Sequence, residues 1–162
     1  MSLAEEFAVR YAGLRQAYGT FTANNETRED GKASGKNITI SKELSDTDLL
    51  KLWDGHLSGH QSVGIVPIDE HNNCVWGAID VDEYQLDLKD LAIKIAKQKL
   101  PLVLCRSKSG GAHIYLFLTE PVAASMLQRK LRQIAAAIGY GQVEIFPKQT
   151  KLLLDRGDRG ST

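Results

Sequence analysis

The stretch V-W-G-A-I-D-V-D at residues 75–82 decides how the rest of this chain is interpreted. It is almost continuously apolar, which is typical of a buried strand, yet it ends with two carboxylates, Asp80 and Asp82. Side chains two residues apart in a strand point to the same face, so these carboxylates project together. Neighbouring anions that lose hydration are tolerated mainly when a cation neutralises them. The stretch therefore predicts a divalent-metal site, with a strand that ends in a solvated turn as the plainer alternative.

Length and composition indicate one soluble domain. The chain has 162 residues, of which 43% are hydrophobic, and this is enough to bury a core. No apolar run reaches membrane-spanning length and no signal peptide is visible, so we expect a cytoplasmic protein with no membrane partner. Cys74 and Cys105 lie in apolar segments, which favours reduced thiols over a disulfide. We also expect the chain to be a fragment of a longer protein.

The charge is distributed unevenly, although the net charge is zero. Residues 1–82 carry 7 basic and 13 acidic residues, a net charge of −6, whereas residues 83–162 carry 13 basic and 7 acidic residues, a net charge of +6. A basic half can face phosphates even in a neutral chain. Lysines and arginines on the solvated faces of helices would give the same count, so both interpretations stay open.

The N-terminal region is predicted to be helical, with one long loop and one hairpin strand. We expect a helix over residues 3–18 and, because the next stretch is polar and rich in glycine and asparagine, a mobile loop over residues 19–36. Ser45 is followed by acidic residues and then by leucines, which predicts an N-capped helix. Residues 63–68 are predicted to pair with the strand at 74–82 as a hairpin.

From residue 74 onward the predicted order of elements is β-α-β-β-α-β. After the first strand come a helix, then strands at residues 102–106 and 112–118. Pro121 is predicted to begin the second helix and Gly139 to end it, before a last strand at residues 142–146. This is the split βαβ order of ferredoxin-like and RNA-recognition-motif (RRM) sheets.

We therefore predict an α+β fold in a single domain that spans residues 1–162. An RRM-like core over residues 61–162 forms the β-α-β-β-α-β sheet, and a helical and hairpin N-terminal unit over residues 1–60 precedes it.

The predicted sheet gathers polar residues that are far apart in the sequence. In the antiparallel order 4-1-3-2, the end of strand 1 meets the beginnings of strands 3 and 4. Asp80 and Asp82 end strand 1, His113 opens strand 3 and Glu144 opens strand 4. Three carboxylates on one surface can hold one or two Mg²⁺ or Mn²⁺ ions, which prefer oxygen ligands and support phosphoryl or nucleotidyl transfer.

The loop R-S-K-S-G-G-A-H at residues 106–113 complements the acidic edge. Its glycines allow close approach of the backbone, its serines and N–H groups can donate to phosphate oxygens, and its basic residues supply positive charge. Taken alone it is ordinary turn chemistry. Opposite a carboxylate cluster it is predicted to cradle a triphosphate. The candidate residues in and after this loop are Arg106, Ser107, Lys108, Ser109, Gly110, His113 and Lys148.

Three motifs in order resemble those of the archaeo-eukaryotic primase superfamily. They are the hydrophobic-D-hydrophobic-D at residues 79–82, the small-residue loop that ends in x-H at 109–113, and the hydrophobic-acid strand at 143–144 that continues I-F-P-K-Q. The chain looks most like the primase-polymerase domains of phages and mobile elements, including the TOTE conflict-system type. The resemblance covers roughly residues 60–160.

The resemblance implies roles for the candidate residues. Asp80, Asp82 and Glu144 would be the catalytic residues and would bind Mg²⁺ or Mn²⁺, while His113 and the loop at 107–110 would bind nucleotide phosphates. Lys148 would assist with phosphate or template. The implied partners are nucleoside triphosphates, a single-stranded DNA template, and a helicase or other replication domain in a longer protein.

Two other functions compete with template-directed nucleotidyl transfer. A non-catalytic module that binds single-stranded nucleic acid would present exposed aromatic residues on its sheet. Tyr115 and Phe117 are spaced to share a face, although together with Trp76 they fit a buried core equally well. A metal-dependent nuclease would leave the phosphate loop unexplained, and Glu144 and Lys148 lack the usual acid-x-Lys spacing. Triphosphate binding discriminates among these hypotheses.

Overall fold

The computed structural model describes residues 1–27, 33–83, 85–107 and 110–161. These residues form α-helices, β-strands and one short 3-10 helix. The helices are α1 (Leu3–Arg10), α2 (Asp46–Leu57), α3 (Leu88–Lys97) and α4 (Ala124–Ala137), and the 3-10 helix is Leu154–Arg156. The strands are β1 (Ala17–Thr27), β2 (Ala33–Ser41), β3 (Gly64–Ile65), β4 (Asn73–Val81), β5 (Leu102–Arg106), β6 (Ala112–Ala123) and β7 (Glu144–Phe146).

The main sheet is antiparallel and has the strand order β5-β6-β4-β7. Along the chain its elements run β4-α3-β5-β6-α4-β7. The predicted β-α-β-β-α-β order and the predicted strand order 4-1-3-2 are therefore confirmed, and the protein is an α+β fold with two antiparallel sheets. The first predicted strand, β4, pairs with β6 on one edge and β7 on the other, and its residues 76–79 are buried on both faces of the sheet.

One face of the main sheet is covered by α3 and α4. Ile79 and Val81 of β4 point into this core and meet Leu91 of α3 and Leu131 of α4, all of which are almost completely buried. Alternation along β4 then sends Trp76, Ala78 and Asp80 to the opposite face. The face that carries the first predicted carboxylate is therefore the one turned away from α3 and α4.

The N-terminal unit covers part of that opposite face. Helices α1 and α2 pack there with a second core that includes Trp53 of α2 and Trp76 of β4. The prediction of an N-capped α2 is confirmed, since Ser45 Oγ accepts from the backbone N–H of Asp48 at 3.1 Å and the Asp48 carboxylate accepts from Ser45 N–H at 3.2 Å. This capping box satisfies N–H groups that would otherwise lack partners in the first turn.

Several local predictions in the N-terminal unit are wrong. The first helix ends at Arg10, and much of the region 19–36 belongs to β1 and β2, which pair with each other, whereas residues 28–32 lie outside the described residues. The strand β3 pairs with β1 and not with β4, so the predicted hairpin does not form. Strands with few apolar side chains carry little hydrophobic periodicity, and this explains why their sequence resembles a loop.

The predicted start of α4 at Pro121 is also wrong, whereas its predicted end is confirmed. β6 continues through Pro121, and α4 begins at Ala124. The β4–β6 register shifts between Cys74 and Trp76, so proline lies where the ladder is irregular and its missing N–H is tolerated. Gly139 follows the last turn at φ +91°, the left-handed conformation that closes a helix.

In the described part of the chain, none of the helices combines the length and the apolar character that a membrane span needs.

Candidate active site

Three of the predicted site residues line up across the main sheet. Asp80 of β4 is the register partner of His113 on β6 and of Glu144 on β7. Directly opposed residues on neighbouring strands share a face of the sheet, so the side chains form one row with Asp80 in the middle. The predicted juxtaposition of these residues is observed, because antiparallel pairing brings the end of β4 against the beginnings of β6 and β7.

The centre of the row is a pair between a carboxylate and an imidazole. His113 Nε2 lies 3.3 Å from Asp80 Oδ1, and both side chains are partly buried. The hydrogen bond to Asp80 raises the pKa of His113 above its ordinary value, and burial opposes this increase. On the other side of the ring, His113 Nδ1 lies 3.3 Å from the hydroxyl oxygen of Tyr115.

The outer end of the row is held by a second ion pair. Lys148 Nζ lies 3.2 Å from Glu144 Oε2 and 4.8 Å from the centre of the Phe146 ring. The Glu144 side chain is 62% exposed, so this pair contributes little to stability. Its consequence is local: Lys148 is brought next to a site carboxylate.

The carboxylates are the right kind of ligand for a hard divalent cation, because Mg²⁺ and Mn²⁺ prefer oxygen donors. Asp82 lies one residue beyond β4 and is exposed, and it too has an interaction partner. Across residues 1–27, 33–83, 85–107 and 110–161, no group of three or more His, Cys, Asp or Glu side chains is arranged to hold a metal ion. The donor chemistry therefore fits the cation, whereas the side chains are not gathered into a coordination shell and engage His113 and Lys148.

The loop at residues 106–113, called the glycine loop below, is closed by hydrogen bonds within its own backbone. Ser107 N–H donates to Gly111 O at 2.9 Å, and Gly110 N–H donates to Ser107 O at 3.1 Å. Gly110 has φ +95°, and a Cβ at Gly111 would overlap the carbonyl oxygen of Val81, so glycine is needed at both places for different reasons. The loop is thereby brought against the end of β4.

The structure does not bring all the predicted phosphate-binding residues into the row. Lys108 and Ser109 lie outside the described residues. Arg106 pairs with Ala112, one position beyond the pair of Cys105 with His113, so its side chain leaves the strand on the face opposite to Asp80. Among the predicted basic residues that the structure describes, His113 and Lys148 lie beside the carboxylates.

A cavity of about 280 Å³ adjoins the row on the side of the N-terminal unit. The main sheet and the N-terminal helices both contribute to its walls. These walls include Asp80, His113, Tyr115, Phe7, Tyr11 and Trp53. Prediction from sequence missed the N-terminal aromatic residues of this site. The only signal was their place on the apolar faces of the first two helices, which indicates burial without indicating a neighbour.

These features describe an α+β domain with an acidic, histidine-containing site at one end of its antiparallel sheet. The family model described as "TOTE conflict system, Archaeo-Eukaryotic Primase domain" matches residues 4–156. The match spans the N-terminal unit and the main sheet, so the chain belongs to this family of archaeo-eukaryotic primase domains. Membership implies a primase-like nucleotidyltransferase enzyme, and such domains generally use divalent metals. Among curated proteins, none matches the sequence significantly.

Proposed function

We propose that this chain is the catalytic domain of a primase-polymerase that makes or extends a primer on a single-stranded DNA template. The observation that carries the proposal is the row formed by Glu144, Asp80 and His113 across three strands. Its acidic members can attract cations, and its imidazole can donate to phosphate. The row adjoins a cavity and not a flat surface, as expected of a small-molecule site.

In this proposal the carboxylates of Asp80, Asp82 and Glu144 hold one or two Mg²⁺ or Mn²⁺ ions, which when bound stabilise charge on the α-phosphate and on the leaving pyrophosphate. Asp80 and Glu144 exchange their present partners, His113 and Lys148, for this role. Both released side chains are then available to the triphosphate. The same side chains that balance the carboxylates without substrate would thus bind the substrate.

The remaining residues of the site bind and orient the nucleoside triphosphate. His113 Nε2–H donates to a phosphate oxygen, and the loop from Ser107 to Gly110 offers backbone and hydroxyl donors. Lys148 supplies a point charge for phosphate or template. A primer 3′-hydroxyl attacks the α-phosphate, the new phosphodiester bond forms, and pyrophosphate leaves. A helicase or other replication domain in a longer protein is a further proposed partner.

The packing of the aromatic residues argues against the alternative, a non-catalytic binding module. Such a module needs uncovered aromatic faces on the sheet for bases to stack on. Tyr115 and Phe117 do share a face, with ring centres 5.8 Å apart, but Tyr11 packs edge-on against them at 5.6 and 5.2 Å. Trp76 on the same face is 6% exposed. The aromatic face of the sheet is thus used mainly to seat the N-terminal unit.

Primer extension with the Asp82→Asn variant tests the proposal. The substitution keeps the shape of the side chain and removes the charge that attracts a cation, so nucleotide incorporation should be abolished while the fold persists. Asp54→Asn is the matched control, since it makes the same change at an exposed position of α2. Both proteins and the unmutated chain are assayed on a primed and an unprimed single-stranded template, with ribonucleotides or deoxyribonucleotides and with Mg²⁺ or Mn²⁺.

Full synthesis by Asp82→Asn, with the same metal dependence as the unmutated chain, would overturn the catalytic assignment. Thermal melting of each variant is measured beside the assay, so that loss of activity is not confused with loss of fold. Single-strand binding without any triphosphate binding by the unmutated chain would instead favour the non-catalytic module.

A further inference from the structure

Tyr115 makes a polar contact with His113 that the proposed reaction does not use. It follows His113 by two residues on β6, so both side chains lie on the face of the sheet that carries Asp80. Its hydroxyl oxygen is 3.3 Å from His113 Nδ1, and His113 Nε2 is 3.3 Å from Asp80 Oδ1. The imidazole is therefore held at both nitrogens, by a phenol on one side and a carboxylate on the other.

The Tyr115 ring is in turn held by aromatic neighbours. It stacks on Phe117, with centres 5.8 Å apart, and meets Tyr11 edge-on at 5.6 Å and Trp76 at 6.2 Å. Burial raises the pKa of the Tyr115 hydroxyl well above its ordinary value, so the group keeps its proton at neutral pH. A fixed ring with a protonated hydroxyl is a donor of defined position.

This arrangement constrains where the imidazole proton lies. A neutral His113 whose Nδ1 accepts from the Tyr115 hydroxyl must carry its own proton on Nε2, where it donates to Asp80. In the charged form both nitrogens carry protons, and Tyr115 becomes the acceptor on the Nδ1 side. Nε2 is thus a donor in either form, and the ring keeps the same orientation.

We propose that Tyr115 is a positioning residue, which holds His113 with its Nε2–H directed toward Asp80 and toward the place that a triphosphate oxygen would occupy. The second half of this statement rests on the proposed function, since it needs a phosphate beside Asp80. The first half concerns the free protein alone and is measured without any nucleotide.

A purely structural role for Tyr115 makes a different prediction. If the ring serves only to fill the aromatic core, then Tyr115→Phe keeps every packing contact and leaves His113 unchanged. If the hydroxyl positions the imidazole, the same variant leaves Nδ1 without its partner, so the ring can turn away from Asp80. Once Nε2–H is no longer held by the carboxylate, the two neutral tautomers mix.

Nitrogen-15 NMR of the histidine side chains measures this directly. The chain has four histidines, and the signals of His113 are identified as those that disappear in the His113→Ala variant. In the unmutated protein, neutral His113 should be the Nε2–H tautomer. In Tyr115→Phe its ring signals should shift toward a mixture of tautomers, whereas Tyr18→Phe, which removes a hydroxyl from β1 in the same apolar core, should leave them in place.

Two results would overturn the positioning role. One is a neutral His113 protonated on Nδ1 in the unmutated protein, a measurement that needs no variant to fold. The other is a folded Tyr115→Phe protein whose His113 signals match those of the unmutated chain. Thermal melting and backbone spectra of each variant establish that it is folded.

Binding separates this inference from the proposed function. With tripolyphosphate as the probe in calorimetry, Tyr115→Phe should bind about three- to tenfold more weakly, as loss of one well-oriented hydrogen bond implies, and Tyr18→Phe should bind as the unmutated chain does. In primer extension the same factor should appear in the KM for the incoming nucleotide. If His113→Ala binds tripolyphosphate as tightly as the unmutated chain, then His113 does not bind the triphosphate and that part of the proposed function is wrong. The tautomer shift in Tyr115→Phe would still establish the positioning of the ring.

Discussion

Replacing Gly111 by alanine tests whether the close approach of the glycine loop to β4 matters. A Cβ at this position would overlap the carbonyl oxygen of Val81 and lie 3.2 Å from the Cα of Asp82. Both are backbone atoms, so no change of rotamer relieves the overlap and one of the two strands must move. Forced overpacking of this kind costs about 1–3 kcal/mol. In a domain of this size that lowers the melting temperature by about 2–12 °C.

The displacement should reduce activity more than it reduces the folded fraction. His113 follows Gly111 by two residues and pairs with Asp80, so any shift of β6 separates the imidazole from the carboxylate. Melting and primer extension at 25 °C are measured for Gly111→Ala beside Gly141→Ala, whose added Cβ would lie at an ordinary 3.7 Å from Ala136. A Gly111→Ala protein that melts and synthesises like the Gly141→Ala control would refute the reasoning.

Three further substitutions test the fold around the site. Ser45→Ala removes the N-cap of α2 and should lower the free energy of unfolding by about 1 kcal/mol. In denaturant unfolding, the dependence of that free energy on denaturant concentration should not change. Hydrogen bonds, the largest from Lys42 and the next from Ser45, lower the pKa of Asp48 from 3.8 to about 2. The ionised Asp48 therefore stabilises the fold above pH 3.8, and this stabilisation is lost as the pH falls toward 2. Melting of Asp48→Asn should therefore depend less steeply on pH in that window than melting of the unmutated chain, and equal slopes would contradict the assignment. Leu131→Ala removes a side chain that is 0% exposed between α4 and the sheet, and we expect a loss of about 2–5 kcal/mol, against less than about 0.5 kcal/mol for its exposed neighbour in Arg132→Ala.

The sheet and its polar row could be predicted because each of their elements has its own signal in the sequence around it. Apolar runs mark β4 and β5, Ser45 marks the start of α2, and Gly139 marks the end of α4. Once the order β-α-β-β-α-β is recognised, few antiparallel arrangements remain, and the ends of the strands determine which residues meet. The sequence alone therefore places Asp80 between His113 and Glu144.

The wrong predictions concern β1, β2 and β3, whose strand pairing depends on segments elsewhere in the chain. β1 and β2 are strands because each satisfies the backbone groups of the other, and β3 pairs with β1 at Tyr18 and Gly19. Neither fact leaves a hydrophobic pattern in the strands themselves. Polar, half-exposed strands look like loops when each segment is considered alone.

What the sequence by itself determined is the set of elements in the main sheet and the alignment of Asp80, His113 and Glu144. What only the tertiary structure decided is the environment of that row: the cavity beneath the N-terminal unit, the contact of Tyr115 with His113, and the partners that the carboxylates hold. The reason is physical. Strand order and register follow from backbone hydrogen bonds between a few elements, whereas the partner of a side chain depends on packing among residues up to about a hundred positions apart, which no local pattern records.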